Sequence, residues 1–165
     1  MSENLAQMLT DILSGELPAE LIVLIISVLP VLELRGGLIA ASLLGMDFIR
    51  AFIICFVGNM IPIPFIILFI RKILEYLSGF SLFEKLVRKI MNKSEKNKEK
   101  ILKYEKWGLL IFVAIPLPGT GAWSGALVAG LLGMRMKSAF PIITLGVFIA
   151  GVIMSVVSYL IPALL

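Results

Sequence analysis

The stretch Pro30–Gly37, PVLELRGG, carries a carboxylate and a guanidinium, Glu33 and Arg35, between two runs without charge, Leu21–Leu29 before it and Leu38–Met46 after it. An unpaired charge at bilayer depth costs about 2.5–3.5 kcal/mol or more. The reading of these eight residues therefore decides whether the flanking runs make one spanning helix or two shorter segments. A spacing of two puts the side chains on opposite sides of an α-helix, but on one face of an extended segment. Pro30 ahead of the pair and Gly36-Gly37 behind it interrupt a helix. An extended tip is expected, in which the two charges reach each other or a common ligand.

The rest of the composition sets that tip in a membrane. Of 165 residues, 59% are hydrophobic and 16% charged, with a mean hydropathy of +1.04, against about 45–50% and about 25% in ordinary globular domains. The first twenty residues lack the basic stretch and small-residue cleavage site of a secretory signal, so the first apolar segment is expected to be retained. The single cysteine, Cys55, allows no intrachain disulfide. There is no histidine, which excludes imidazole metal ligands and Ser-His hydrolase chemistry. With one carboxylate in the apolar blocks there is no acid–base pair for an intramembrane enzyme. No cofactor and no metal are expected.

Four apolar blocks, Leu21–Met46, Ile49–Ile70, Leu109–Met134 and Ala139–Leu165, surround a charged middle from Arg71 to Lys106 with eleven Lys/Arg against five Glu. By the positive-inside rule that middle is cytoplasmic. Within it, Leu82, Phe83, Leu86, Val87, Ile90 and Met91 recur at helical spacing opposite Lys85, Arg88 and Lys89, which predicts an amphipathic helix on anionic lipid headgroups. Nucleic acid is not an expected partner.

The chain repeats itself at a shift of 88. Leu43-Leu44-Gly45-Met46 aligns with Leu131-Leu132-Gly133-Met134, Pro30 with Pro118, Gly37 with Gly125 and Gly58 with Gly146; fourteen of the forty-one positions from Leu21 to Ile61 are identical without a gap. This reads as a duplication. Each copy is a long block broken near its centre, PVLELRGG in one and PLPGTGAWSG in the other, followed by a plain apolar helix. If the broken blocks span, the chain makes four passes; if they dip in and return, it makes two. Charge bias favours the second: the tail carries Glu3, Asp11, Glu16 and Glu20 without Lys or Arg and belongs outside, while Arg135 and Lys137 belong inside.

The expected fold is thus all-α and integral to the membrane, an inverted repeat of re-entrant hairpin plus transmembrane helix with a cytoplasmic amphipathic helix between the copies. The single domain divides into a tail (1–20), repeat one (21–70), a basic connector (71–106) and repeat two (107–165). Two full passes do not easily enclose a pathway, so a homo-oligomer is expected.

PVLELRGGLIAASLLG and IPLPGTGAWSGALVAGLLG resemble the two signature segments of the bacterial small multidrug export protein family, over nearly the whole chain. That family is in turn similar to the wider DedA-like group. The resemblance implies a multi-pass inner-membrane transporter of a small or amphiphilic molecule. It also leaves open a DedA-like lipid-phosphate translocase or scramblase, and a non-transporting assembly protein is the further alternative. DedA-like proteins usually place acidic residues in one hairpin and an arginine in the other; here both charges lie in the first.

The candidate substrate- or ion-binding residues are those of the two tips. Glu33 is either a proton or cation site or half of a structural ion pair; Arg35 is either an anchor for an oxyanion or the other half, holding backbone carbonyls of the facing loop. Pro116, Pro118, Gly119, Thr120 and Gly121 form the second tip, whose N–H groups can make an anion-receptive nest or simply a turn. Trp123 lies deeper than tryptophans usually do and plugs the cavity, stacks on a cation or packs. Asn59, with Pro62 and Pro64, offers a polar side chain and freed carbonyls near mid-membrane, or a helix–helix hydrogen bond.

Overall fold

The structure, a computed structural model, describes residues 2–13, 17–77, 98–117 and 119–160. The amphipathic segment Leu82–Met91 and Pro118 lie outside the described residues. Those described form helices and no strand: α1 (Ser2–Leu13), α2 (Ala19–Val28), α3 (Glu33–Leu43), α4 (Phe48–Met60), α5 (Ile63–Leu77), α6 (Lys98–Ala114), α7 (Ala122–Leu131) and α8 (Met136–Ser155), the last running into a π-helical turn, Val156–Leu160.

Length separates these helices into two kinds. Phe48–Ile70, crossing from α4 into α5, and Met136–Tyr159 are apolar stretches of 23 and 24 residues. At 1.5 Å per residue each is about 35 Å long, enough for a hydrocarbon core of about 30 Å. Both are thus long and apolar enough to cross a membrane. By contrast α2, α3 and α7 have 10, 11 and 10 residues and reach about 15 Å each, half of that core. Asp47 fixes where α4 begins, its Oδ2 accepting from the N–H groups of Ile49 and Arg50 at 3.1 and 3.2 Å.

Proline and glycine divide the work differently from the expectation. The break between α2 and α3 falls at Leu29–Leu32, but Gly36 and Gly37 do not interrupt α3. Both are buried, and a Cβ on Gly37 would overlap Ser27 Oγ and stand 2.8 Å from Cys55 Sγ. The missing side chains let α2 and α4 close on α3, the usual role of small residues between helices in lipid. The second apolar stretch, read as one plain helix from Ile49 to Ile70, is in fact two, because Pro62 has no N–H for the carbonyl of Gly58.

Equivalent glycines play equivalent parts in the two halves. A Cβ on Gly58 would lie 3.1 Å from the carbonyl of Leu24 in α2, and one on Gly146 would lie 3.3 Å from the carbonyl of Leu110 in α6. In each half the long helix crosses the helix that precedes the broken loop, α2 or α6, at that seat. The LLGM segments close α3 and α7 alike: Gly45 and Gly133 have φ of 67° and 69°. Met46 and Met134 each donate to the carbonyl five residues back at 2.9 Å, the hydrogen bond of a Schellman cap. The long helices run antiparallel, Phe48 packing on Tyr159 and Phe52 on Phe148 with ring centroids 5.6 and 5.7 Å apart.

The Gly37 seat gives a direct test. Gly37→Ala is expected to lower the unfolding temperature of the purified protein, at an overpacking cost of about 1–3 kcal/mol. Adding Ser27→Ala, which removes the overlapped oxygen, should recover part of the loss. No destabilisation by Gly37→Ala would mean that α2, α3 and α4 are not packed as described.

Candidate functional site: the junction of two helix breaks

The loop between α2 and α3 and the loop between α6 and α7 meet. Glu33 opens α3 with φ of +52°, the one non-glycine residue with positive φ among those described. Such a conformation costs of order 1 kcal/mol or more, and the surroundings show what holds it. The Glu33 N–H donates to the carbonyl of Leu29 at 2.8 Å. Its carboxylate turns across to α7, where Oε2 accepts from the Ala122 N–H and Oε1 from the Trp123 N–H, both at 3.1 Å. Glu33 thus caps a helix of the other half, where the N-terminal end of the dipole favours a negative charge. Gly121, at the cap position with φ of 126°, leaves room for it, since a Cβ there would overlap Glu33 Oε2.

Arg35 satisfies the opposite groups. Its Nη1 donates to the carbonyl of Leu117 and its Nη2 to that of Thr120, while Nη2 stands 3.9 Å from Glu33 Oε2. Thr120 braces the loop: its Oγ1 shares a proton between the carbonyls of Ile115 and Leu117, at 2.7 and 2.8 Å, and accepts from the Leu117 N–H at 3.1 Å. Trp123 closes the far side, its indole N–H donating to the carbonyl of Val28 at 3.1 Å.

This arrangement corrects the expected extended tip. Glu33 and Arg35 lie in the first turn of a helix, and the left-handed conformation at Glu33 lets both side chains reach the facing loop. Glu33 is 4% exposed, and each charge makes two hydrogen bonds to backbone. Hydrogen bonds to charged groups contribute about 1.5–3 kcal/mol each, which offsets an insertion cost of about 2.5–3.5 kcal/mol per charge. The pair is thereby accommodated with no bound ligand. Of the other candidates, Thr120, Gly121 and Trp123 belong to this junction. Pro116 and Gly119 lie in the same loop. Asn59 is 2% exposed and its Oδ1 has no hydrogen-bond partner among the described residues.

The residues that sequence reading missed are Val28, Leu117 and Ala122. All three act through backbone atoms, which their side chains do not advertise; the only signal was the helix start after Gly121.

A family described as "Putative small multi-drug export protein" matches residues 33–153, from Glu33 through both loops into α8. The chain belongs to this family. Membership in the small multi-drug export family agrees with the likeness seen in PVLELRGG and PLPGTGAWSG, and at a coarse level it supports transport. The likeness to the DedA-like group rests on the motifs alone. Neither the curated proteins nor the solved structures contain a match to the chain.

Because Arg35 meets carbonyls and Glu33 meets N–H groups, the pair is directional. Exchanging the charges, E33R/R35E, preserves the ion pair but sets each charge against the wrong backbone groups. The exchanged protein is expected to unfold at a lower temperature than wild type, as low as R35Q or lower. Recovery to wild-type stability would reduce the junction to a simple salt bridge.

Proposed function

We propose that the chain is a secondary transporter of the bacterial inner membrane, exporting a small or amphiphilic molecule, with movement of the substrate coupled to a proton or cation at Glu33. In this reading α2–α3 and α6–α7 are re-entrant hairpins that enter from opposite faces and form an inverted repeat. Several features support it. The helices α2, α3 and α7 are half a membrane long. The Glu20–Arg50 ion pair, at 2.7 Å, brings the start of α2 beside the start of α4, where α3 also ends, so that both ends of the first pair share a side. The two long helices are antiparallel, and broken helices that meet at the midplane are a recurring transporter plan.

The observation that carries the proposal is the crossed bonding of Glu33 and Arg35 to the second loop. It is a closed junction made of breakable parts. Protonation of Glu33 removes the charge that accepts from Ala122 and Trp123, and it cancels the attraction to Arg35. The two loops then part, and a substrate group gains access to the Arg35 fork or to the freed N–H groups. A homodimer supplies the remaining walls of the pathway, and the basic connector rests on anionic headgroups at the cytoplasmic surface.

Topology and transport are tested separately. With Cys55 replaced, single cysteines at Ser2 and Asp47 should react with an impermeant reagent from the periplasmic side and one at Ser138 from the cytoplasmic side. Reaction of Ser2 only from the cytoplasm would overturn the re-entrant arrangement.

For transport, Glu33→Gln should insert and purify like wild type, yet lose substrate efflux driven by a pH or cation gradient in proteoliposomes. Undiminished gradient-driven efflux in that variant would remove Glu33 from coupling. Greater damage from Arg35→Gln than from Glu33→Gln, with loss of lipid flipping, would transfer the assignment to lipid-phosphate translocation.

A further inference from the structure

The junction leaves aside a buried polar side chain near it, Asn59, whose Oδ1 has no hydrogen-bond partner among the described residues. Asn59 ends the penultimate position of α4, between the buried residues Gly58 and Met60. A buried carboxamide oxygen without a hydrogen bond costs about 1–3 kcal/mol, a cost that a bound partner would remove. The backbone around it is also short of donors. Pro62 and Pro64 have no N–H, so the carbonyls of Gly58 and Met60 lose the partners that a continuous helix would give them. Three oxygens from consecutive residues therefore lack their usual donors at the end of one helix segment, where the helix dipole is negative and favours a cation.

Register places this cluster at the depth of the junction. A Cβ on Gly37 would touch Cys55 Sγ, and α3 and α4 are consecutive, antiparallel helices. One turn before Gly37 is Glu33, and one turn after Cys55 is Asn59. Residues 33 and 59 accordingly lie at the same level on neighbouring helices. The chemistry of the donors selects the ion: hard oxygen ligands suit an alkali or alkaline-earth cation. A site with one carboxylate, already facing the Arg35 guanidinium at 3.9 Å, lacks the negative charge that a divalent ion needs. Unwound carbonyls with few or no charges suit a monovalent one.

We infer that Asn59 Oδ1 and the carbonyls of Gly58 and Met60 form a monovalent-cation site, selective for Na⁺ or K⁺ over larger cations, at the level of Glu33. This deepens the proposed transport function by naming the coupling ion, and it rests on that reading only for the consequence of binding, not for binding itself.

The test uses the full-length protein in lipid nanodiscs, with NaCl, KCl or choline chloride at constant ionic strength. Wild type should show a saturable rise in unfolding temperature with Na⁺ or K⁺ over choline, since a ligand of the native state stabilises it. Asn59→Leu, which also removes the buried orphan oxygen, should remain folded and lose the rise. Pro62→Ala, which restores an N–H for the Gly58 carbonyl, should shift the rise to several-fold higher salt while leaving Asn59 in place. Equal unfolding temperatures of wild type in all three salts would overturn the site, as would a rise retained by Asn59→Leu. A Na⁺- or K⁺-dependent rise that Asn59→Leu abolishes, together with efflux that ignores the gradient of that ion, would keep the site and remove its role in coupling. Loss of efflux in Glu33→Gln alone bears on the transport proposal and leaves the site standing.

Discussion

Inside a bilayer, backbone groups released where a helix breaks have no water to satisfy them, and each such group left alone costs several kcal/mol. Two breaks, at Leu29–Leu32 and at Ile115–Gly121, confront this protein with that problem twice at one place. Across the two loops it is met by a pair of charged side chains, with Thr120 and Trp123 satisfying further backbone groups. The carboxylate of Glu33 takes the first N–H groups of α7, and the guanidinium of Arg35 takes the last carbonyls before it. Charges that are costly at this depth and backbone groups that are costly at this depth are thus matched to each other. Neither loop could hold its shape without the other, which is why a helix-opening residue can be kept in the left-handed conformation of Glu33.

That mutual dependence sets requirements farther out. Loops meet only if the helices bearing them end at the junction and lie close against the long ones. The LLGM caps fix the outer ends of α3 and α7, so each short helix has a defined length between its cap and its tip. The glycines at 37, 58, 125 and 146 remove side chains where helices cross, because apolar lipid gives no hydrophobic drive to hold helices together and contact must come from close packing. A methyl group at one of these seats would displace a helix, and with it the loop that the helix carries.

Much of this was legible in the sequence. Hydropathy and length distinguish long from short apolar helices, and the glycines that the shift of 88 pairs, Gly45 with Gly133 and Gly58 with Gly146, occupy similar caps and seats. The placing of Glu33 and Arg35 opposite the glycine-rich loop also follows from the repeat. The local conformation did not. Gly36-Gly37 carries the same signal whether glycine breaks a helix or lets another helix approach, and only the neighbours Ser27 and Cys55 decide between them. Likewise, the partners of the charged pair are backbone atoms of Leu117, Thr120, Ala122 and Trp123, and no residue type announces a carbonyl.

The repeat also explains why the charges lie in one copy alone. At a shift of 88, Glu33 corresponds to Gly121 and Arg35 to Trp123. Gly121 faces Glu33 across the junction, and Trp123 meets Glu33 through its backbone N–H. A side chain at 121 would begin in the space that the Glu33 carboxylate fills, and a second carboxylate there would meet the first in a medium that screens it poorly. A second arginine at 123 would replace the indole whose N–H closes the junction on Val28. Two tips that touch cannot both carry the pair: one must supply charge, and the other must supply bare backbone with room to receive it. The uncharged GTGAW of the second copy is therefore the complement of ELR in the first rather than a degraded version of it. A transport cycle built on this junction would have its charged groups move with one loop only.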